Sequence, residues 1–179
     1  MNTPGEPALL ETALAIRPGR FLLLLAPSAE REPLAELVAA LAMCGPLQLV
    51  AASDWCSREW LEHSLRRRIE NIDQVLDQVR LARAFTCYQL ADWLAGARPE
   101  DEPLLVLDFL QPFYDPAVPA TTRFRMFRQS CLHLARLAWH KPVGVAVQQA
   151  AHADYAFFYP FLCAVADEVL LPGPDQADR

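Results

Sequence analysis

The hydrophobic positions of the chain form short unbroken runs, separated by longer segments in which apolar residues recur every three or four positions. Short apolar runs are typical of strands buried on both faces, and the longer spacing is typical of amphipathic helices. The runs predict strands at 20–25, 47–52, 79–85, 104–110, 142–149 and 168–172. The periodic segments predict helices at 33–43, 58–68, 69–79, 88–95 and 121–140.

The ends of these elements carry their own signals. Pro33 suits the first turn of a helix, because that turn leaves backbone N–H groups unbonded in any case. Asp54 and Ser57 are candidate caps for the helix that follows, and Thr121 or Thr122 is the expected cap of the long helix. The alternation of strands and helices predicts an α/β fold of three layers, with a mostly parallel central sheet flanked by helices. We expect a single domain over 1–179, with a core at about 7–171 and short flexible termini.

Composition narrows the class of protein. Hydrophobic residues make up 53% of the 179 positions and charged residues 21%, which favours a folded domain over extensive disorder. No apolar run is long enough to span a membrane, and the N-terminus has no basic region before an apolar one. We therefore expect a soluble, cytoplasmic protein that does not associate with membranes. The net charge of −6 gives no overall attraction to nucleic acid, although a local basic patch stays open.

The cysteines and histidines do not form a metal-binding pattern. The five cysteines are scattered, their number is odd, and no two form a CxxC pair. The four histidines do not lie at ligand spacing from them. We therefore expect reduced, mostly buried thiols and no metal site.

Several phrases, taken in order, resemble the ATPase core of RecA/RadA-type recombinases over roughly Pro7 to Leu171. "LLETALAIRPGRFLLLLA" is similar to the entry into the P-loop strand, and "DQVLDQVRLARAFTCYQLADWL" to a helix, a strand and a second helix of that core. "PLLVLDFLQPFYD" resembles the Walker B strand. "FRMFRQSCLHLARLAWHKPVGVAVQQ" resembles the long helix and the strand that ends in a glutamine. The resemblance implies a RecA-like, P-loop NTPase fold and a role in DNA repair or recombination.

The phosphate-binding loop of that family is degenerate here. A P-loop, G-x-x-x-x-G-K-[ST], uses glycines to wrap the phosphates, a lysine to neutralise them and a hydroxyl to hold magnesium. The matching "APSAEREP" places Ala26 and Arg31 at the glycines, Glu32 at the lysine and Pro33 at the hydroxyl. Glu32 reverses the charge, and Pro33 removes both a hydroxyl and an N–H. We therefore expect a pseudo-ATPase with no cofactor.

Three other positions of the family keep polar residues. The resemblance places Asp108 at the Walker B aspartate, Asp54 near the catalytic glutamate, and Gln149 or Gln148 at the glutamine that senses the γ-phosphate. Each also has a purely structural interpretation: a strand-end or loop contact for Asp108, a helix cap for Asp54, and backbone hydrogen bonds for the glutamines. With the P-loop lost, we regard these residues as vestigial.

Two segments correspond to the DNA-contacting loops of the recombinases, at 111–122 and 150–159. Neither contains lysine or arginine, but Arg123, Arg125 and Arg128 follow the first, and aromatic residues including Tyr155 and Phe158 fill the second. These rings are candidates for stacking on bases, for a partner surface, or for burial in a packed segment. The run Arg66, Arg67 and Arg68 is either a solvated helix end or a contact to phosphate or a partner.

The leading hypothesis is therefore a non-catalytic RecA-like accessory or scaffold protein that acts through protein–protein contacts, with a RecA-like or DNA-repair subunit as its partner. One alternative is an atypical ATP-binding protein that retains Asp54, Asp108 and Gln149 with ATP and Mg²⁺. Another is a protein that binds single-stranded DNA directly through its arginine clusters. In the leading hypothesis contact with DNA is indirect.

Overall fold

The structure is a computed structural model that describes residues 17–26, 31–66, 69, 71–99, 102–148 and 154–170. Its strands are β1 (Phe21–Ala26), β2 (Leu47–Ala51), β3 (Val79–Arg83), β4 (Leu104–Leu107), β5 (Val143–Gln148) and β6 (Glu168–Leu170). Its α-helices are α1 (Glu32–Cys44), α2 (Arg58–Leu65), α3 (Ile72–Gln78), α4 (Cys87–Gly96), α5 (Ala120–Ala138) and α6 (Tyr155–Val165). A short 3-10 helix (Gln111–Tyr114) lies between β4 and α5.

The six strands form one sheet in the order β3-β2-β4-β5-β1-β6, and every pair is parallel. The prediction of a central parallel sheet with helices on both faces is confirmed. The residues of the four inner strands are almost all buried, since helices cover the sheet on both sides, whereas those of the border strands β3 and β6 are partly or fully exposed. In the described part of the chain, no helix has the length and apolar content needed to cross a membrane.

The sheet separates two hydrophobic cores, because successive strand residues point to opposite faces. Leu22 and Leu24 of β1 pack with α1, α2 and α3 on one face. Phe21 and Leu23 of the same strand pack with α4, α5 and α6 on the other face. Each core is continuous beneath its three helices.

Several predicted boundaries were wrong, and three of them bear on the site. Helix α2 ends at Leu65 instead of reaching residue 68, and its C-cap is Arg66. Strand β4 ends at Leu107, since Asp108 takes a positive φ of 56° that leaves the extended conformation. Helix α5 begins at Ala120 with Pro119 as its N-cap, so Thr121 and Thr122 lie inside the first turn and do not cap it.

The connections create a crevice at one edge of the sheet. Strand β2 leads to α2 on one face, and its neighbour β4 leads through the 3-10 helix to α5 on the other face. Where adjacent parallel strands send their chains to opposite faces, the carboxyl ends of those strands border an open crevice, which is where α/β proteins bind ligands. The fold therefore places its default binding site between the ends of β2 and β4.

Candidate functional site

A cleft of about 460 Å³ occupies this crevice. Its walls come from the segments that follow β1, β2, β3 and β4 and from the last residue of β5. The residues that carry its chemistry are Arg31, Ser53, Asp54, Trp55, Asp108 and Gln148. The predicted positions Arg31, Asp54 and Asp108, which are far apart in the sequence, are thus brought together. The size suits one small molecule or one bulky side chain of a partner.

Asp108 is the buried acid at the centre of the cleft, with only 8% of its surface exposed. Its carboxylate accepts a hydrogen bond from the hydroxyl of Ser53 at 2.5 Å and another from the indole N–H of Trp55. Both bonds reach the same oxygen, Oδ2. The left-handed backbone of Asp108, which aspartate tolerates better than most residues, turns the chain into the 3-10 helix. Asp108 therefore joins the ends of β2 and β4.

Trp55 is held on two sides. Its ring packs edge-on against Trp60, with centroids 4.6 Å apart, while the guanidinium of Arg31 lies 4.6 Å from the centroid of the Trp55 ring. That distance is within the range of a cation–π contact. The cationic group of Arg31 is therefore placed over an indole.

Gln148 is the last residue of β5 and lines the cleft. Its side-chain nitrogen is buried and has no hydrogen-bond partner among the described residues. Gln149, the other glutamine considered at this position, lies outside the described residues. Asp54 is exposed at the rim. The cap of α2 is Ser57, whose hydroxyl accepts from the N–H of Trp60, so Asp54 does not have the capping role considered for it.

The residues that the sequence resemblance aligns with a P-loop include the end of β1 and the first turn of α1. Ala26 ends β1, and Glu32 and Pro33 occupy the first turn of α1. Arg31 takes the N-cap position but makes no side-chain capping bond. In this turn Glu32 puts a carboxylate where a phosphate-binding helix has a free positive end, and Pro33 offers no N–H.

Cys56 lies behind the cleft and is fully buried. Burial, and to a lesser degree the negative charge of Asp108, raise the pKa of its thiol from 9.0 to about 12 against the opposing effect of Arg83. The thiol is therefore neutral at physiological pH and is not a nucleophile or a thiolate ligand. Within the described ranges, no three His, Cys, Asp or Glu side chains converge as ligands of a metal ion would.

The arginines near the start of α5 have different environments. Arg123 is half-buried and donates to the backbone carbonyl of Phe113 at 3.0 Å, and it forms an ion pair with Asp154. Arg125 and Arg128 are exposed on the outer face of the helix. Arg66 forms an ion pair with Glu62 one turn earlier in α2, whereas Arg67 and Arg68 lie outside the described residues.

The described part of the aromatic segment 150–159 lies mostly in helix α6, which begins at Tyr155. Phe158 has only 3% of its surface exposed and packs against Phe113 and Phe127, so its ring is not available to stack on a base. Tyr155 is half-buried and stacks on Tyr159, with centroids 5.0 Å apart. Of the interpretations considered for these rings, burial describes Phe158.

No protein-family model matches the chain, and no curated protein matches it. The cleft must therefore be interpreted from its own residues.

Two members of the cleft were missed by sequence reasoning in this role. Neither Ser53 nor Trp55 was among the residues predicted for a site. A signal was present, because "AASDW" and "LVLDF" both place an aspartate just after a buried strand. If β2 and β4 are assumed to be neighbours, the polar residues that follow them meet at one edge.

Proposed function

We propose that this protein is a non-catalytic RecA-like accessory or scaffold protein, and that it acts in DNA repair or recombination through protein–protein contacts. The pathway comes from the sequence resemblance alone. The observation that supports the non-catalytic assignment is that the Asp108 carboxylate accepts hydrogen bonds from Ser53 and Trp55.

An aspartate at the Walker B position serves catalysis by holding a hydrated magnesium ion. The Asp108 oxygen that accepts two hydrogen bonds from protein donors is already satisfied. The indole of Trp55 and the guanidinium above it stand beside that oxygen, in the crevice where a nucleotide would have to enter. The arrangement supports a structural role for Asp108.

The phosphate end of the site gives independent support. The first turn of α1 contains Glu32, while Asp54 and Asp108 line the cleft. A triphosphate would face these carboxylates with Arg31 as the one cation among the described residues that line the cleft. Like charges a few ångströms apart at a partly buried site repel by several kcal/mol, roughly 4 kcal/mol per pair at 4 Å. The charge distribution therefore disfavours a nucleoside triphosphate.

Calorimetric titration with ATP and Mg²⁺ tests the proposal. We expect no saturable heat up to millimolar ATP, and no phosphate release above that of buffer. The matched variant is Asp108→Asn, which keeps the size of the side chain. Saturable binding by the natural chain that disappears in Asp108→Asn would overturn the proposal and establish an atypical ATP-binding protein.

A second candidate, ligand binding in the cleft, is favoured by Gln148. Its buried side-chain nitrogen has no hydrogen-bond acceptor in the part of the chain described. A buried donor of this kind normally bonds to a ligand or to water. In that case the cleft accepts a group with a hydrogen-bond acceptor and little negative charge. ADP, adenosine and ATP titrated side by side distinguish this case, because only the triphosphate meets the full repulsion.

A further inference from the structure

The outer face of α5 carries four exposed side chains in one line: Arg125, Arg128, Leu132 and Trp139, which form the α5 stripe. Their spacings of three, four and seven residues place them on one side of a helix. Leu132 is 62% exposed and Trp139, at the C-cap, is 79% exposed. They lie seven residues apart, about 10.5 Å or two turns along the axis. Two large apolar side chains are thus exposed to solvent on the same side of the helix, two turns apart.

Charge distinguishes this helix from the rest of the protein. Helix α5 contains four arginines and neither Asp nor Glu, although the whole chain has a net charge of −6. Arg123 is engaged by Asp154, and Arg136 donates to the carbonyls of Leu94 and Ala97 at the end of α4.

Arg125 and Arg128 remain on the surface. Neither forms an ion pair or hydrogen bond with another described residue, and both lie on the α5 stripe. The stripe therefore combines two available positive charges with two apolar anchors.

We propose that the α5 stripe binds an acidic amphipathic helix of a protein partner. Such a helix would place two apolar residues, also about two turns apart, against Leu132 and Trp139. Its acidic side chains would meet Arg125 and Arg128 at the other end of the stripe. The stripe, from Arg125 to Trp139, is about 21 Å long, which matches roughly four turns of a partner helix. This inference rests on the proposed function, since it specifies the kind of partner that a scaffold of this type binds.

The same residues argue against nucleic acid as the occupant. Base stacking requires aromatic faces along a cationic track, but the middle of the stripe is the aliphatic Leu132, and Trp139 is its one ring. Phe158, the other ring proposed for stacking, is buried.

They also argue against a second copy of the chain. Pairing two α5 stripes would bring the arginines of both copies into one interface with no acid on either helix. Like charges at an interface are costly, whereas an acidic partner neutralises them.

Two synthetic helical peptides test the proposal. Both carry leucine and tryptophan seven residues apart; one is flanked by glutamates and the other by lysines at the same positions. Fluorescence anisotropy with the full chain gives the affinities. We expect the acidic peptide to bind at least tenfold more tightly than the basic one, with an affinity that falls as salt is added.

The variants separate charge from apolar contact. The double variant Arg125→Glu, Arg128→Glu should reverse the preference between the peptides. Leu132→Asp should weaken binding of the acidic peptide at least tenfold. The matched control is Met43→Asp, because Met43 is also a strongly exposed apolar residue, at 71%, but it lies on α1 across the sheet. It should leave both affinities unchanged.

Several results would overturn the proposal. One is equal or absent binding of the two peptides, and another is a loss in Met43→Asp as large as in Leu132→Asp. A third is tighter binding of a single-stranded oligonucleotide than of the acidic peptide. If that binding disappeared when the two arginines were reversed and was unchanged in Leu132→Asp, the stripe would be a nucleic-acid surface. A dimer in ultracentrifugation that Leu132→Asp dissociates would identify a second copy as the occupant. Binding of ATP measured on the same samples bears on the proposed function alone, so the two failures are distinguishable.

Discussion

The hydroxyl of Ser53 donates to the carboxylate of Asp108 across 2.5 Å, and this bond ties the end of β2 to the end of β4. The two residues are 55 positions apart in the chain. A buried carboxylate satisfied by two protein donors stabilises the fold, and its removal leaves those donors without a partner. The following predictions separate this structural role from a catalytic one.

Substitution of Asp108 should lower the free energy of unfolding in a graded way. Asp108→Asn retains one acceptor and the tolerance of a positive φ, so we expect a loss of about 1–2 kcal/mol. Asp108→Ala removes both hydrogen bonds and also places alanine at a positive φ, which is strained, so a loss of about 3 kcal/mol is expected. Asp108→Gly should be more stable than Asp108→Ala by about 1 kcal/mol, because glycine adopts this conformation without strain. Urea denaturation measures all three.

The matched control for this series is Asp54→Ala. Asp54 lines the same cleft but is exposed, so its loss should change stability by about 0.5 kcal/mol or less. If all the Asp108 variants were as stable as the natural chain, or more stable, Asp108 would have the character of a functional residue held at a cost in stability.

Two substitutions around Trp55 should differ in their effects. Trp55→Phe keeps an aromatic ring but removes the N–H that reaches Asp108, so a loss of about 1–3 kcal/mol is expected. Arg31→Ala removes an exposed cation from the ring, and the loss should be about 0.5–1 kcal/mol. Unfolding curves of both variants give the comparison. Equal losses would mean that the hydrogen bond to Asp108 contributes no more than the cation–π contact.

Arg123 is expected to stabilise the junction of α5, the 3-10 helix and α6. Its side chain is only 12% exposed and joins the Phe113 carbonyl to Asp154. Its loss removes the donor that the Phe113 carbonyl and the partly exposed Asp154 carboxylate share, so Arg123→Ala should lower stability by about 2–3 kcal/mol. Arg128→Ala, on the same helix but exposed, should cost about 0.5 kcal/mol or less.

Thermal or urea unfolding at low and high salt measures this difference. Most of the loss in Arg123→Ala should persist at high salt, because the Arg123 side chain is mostly buried and its hydrogen bond to the Phe113 carbonyl is not an ion pair. If Arg123→Ala and Arg128→Ala lost the same free energy of unfolding, the contacts of Arg123 with Phe113 and Asp154 would not stabilise the junction.

Stability should fall in alkaline solution because of buried thiols. Burial raises the pKa of Cys131 in the folded protein from 9.0 to about 12. Between these values the unfolded chain releases the thiol proton and the folded chain keeps it, so the free energy of unfolding decreases as pH rises. Below pH 9 this contribution is fully present. The slope approaches about 1.4 kcal/mol per pH unit for one thiol.

Urea denaturation from pH 8.5 to 10.5 measures that slope in the natural chain and in Cys131→Ala. The variant should show a shallower decline, since it lacks one of the protons that the folded state retains. Parallel declines in the two proteins would mean that the Cys131 thiol ionises equally in both states.

The sequence predicted the sheet well, because each strand is recognisable from its own apolar residues. "FLLLL", "LLVL" and "VGVAV" are too apolar and too short for anything but buried strands, and the turns between them are polar. The parallel arrangement then followed from the helices in between. These features depend on neighbouring residues, which a sequence displays directly.

The details of the site depend on distant residues and were less accessible. The hydrogen bonds of Asp108 join residues more than fifty positions apart, and no local pattern indicates them. The start of α5 was misassigned because Thr121 and Thr122 are good caps, yet the extended backbone of Pro119 already starts the helix. Burial, stacking and a partner surface all stayed open for Phe158, because the dense aromatic segment conceals the helical period that turns this ring inward.

The two outermost strands of the sheet have a consequence for how the protein avoids unwanted assembly. Strand β6 is only three residues long, and β3 carries Arg80 and Arg83 with exposed side chains. Short or charged border strands resist the addition of a further strand from another chain, which is a common route to aggregates. The sheet is therefore closed to growth at both borders. Contacts with other molecules are left to side chains on helices and loops, where surface chemistry, rather than generic backbone pairing, selects the partner.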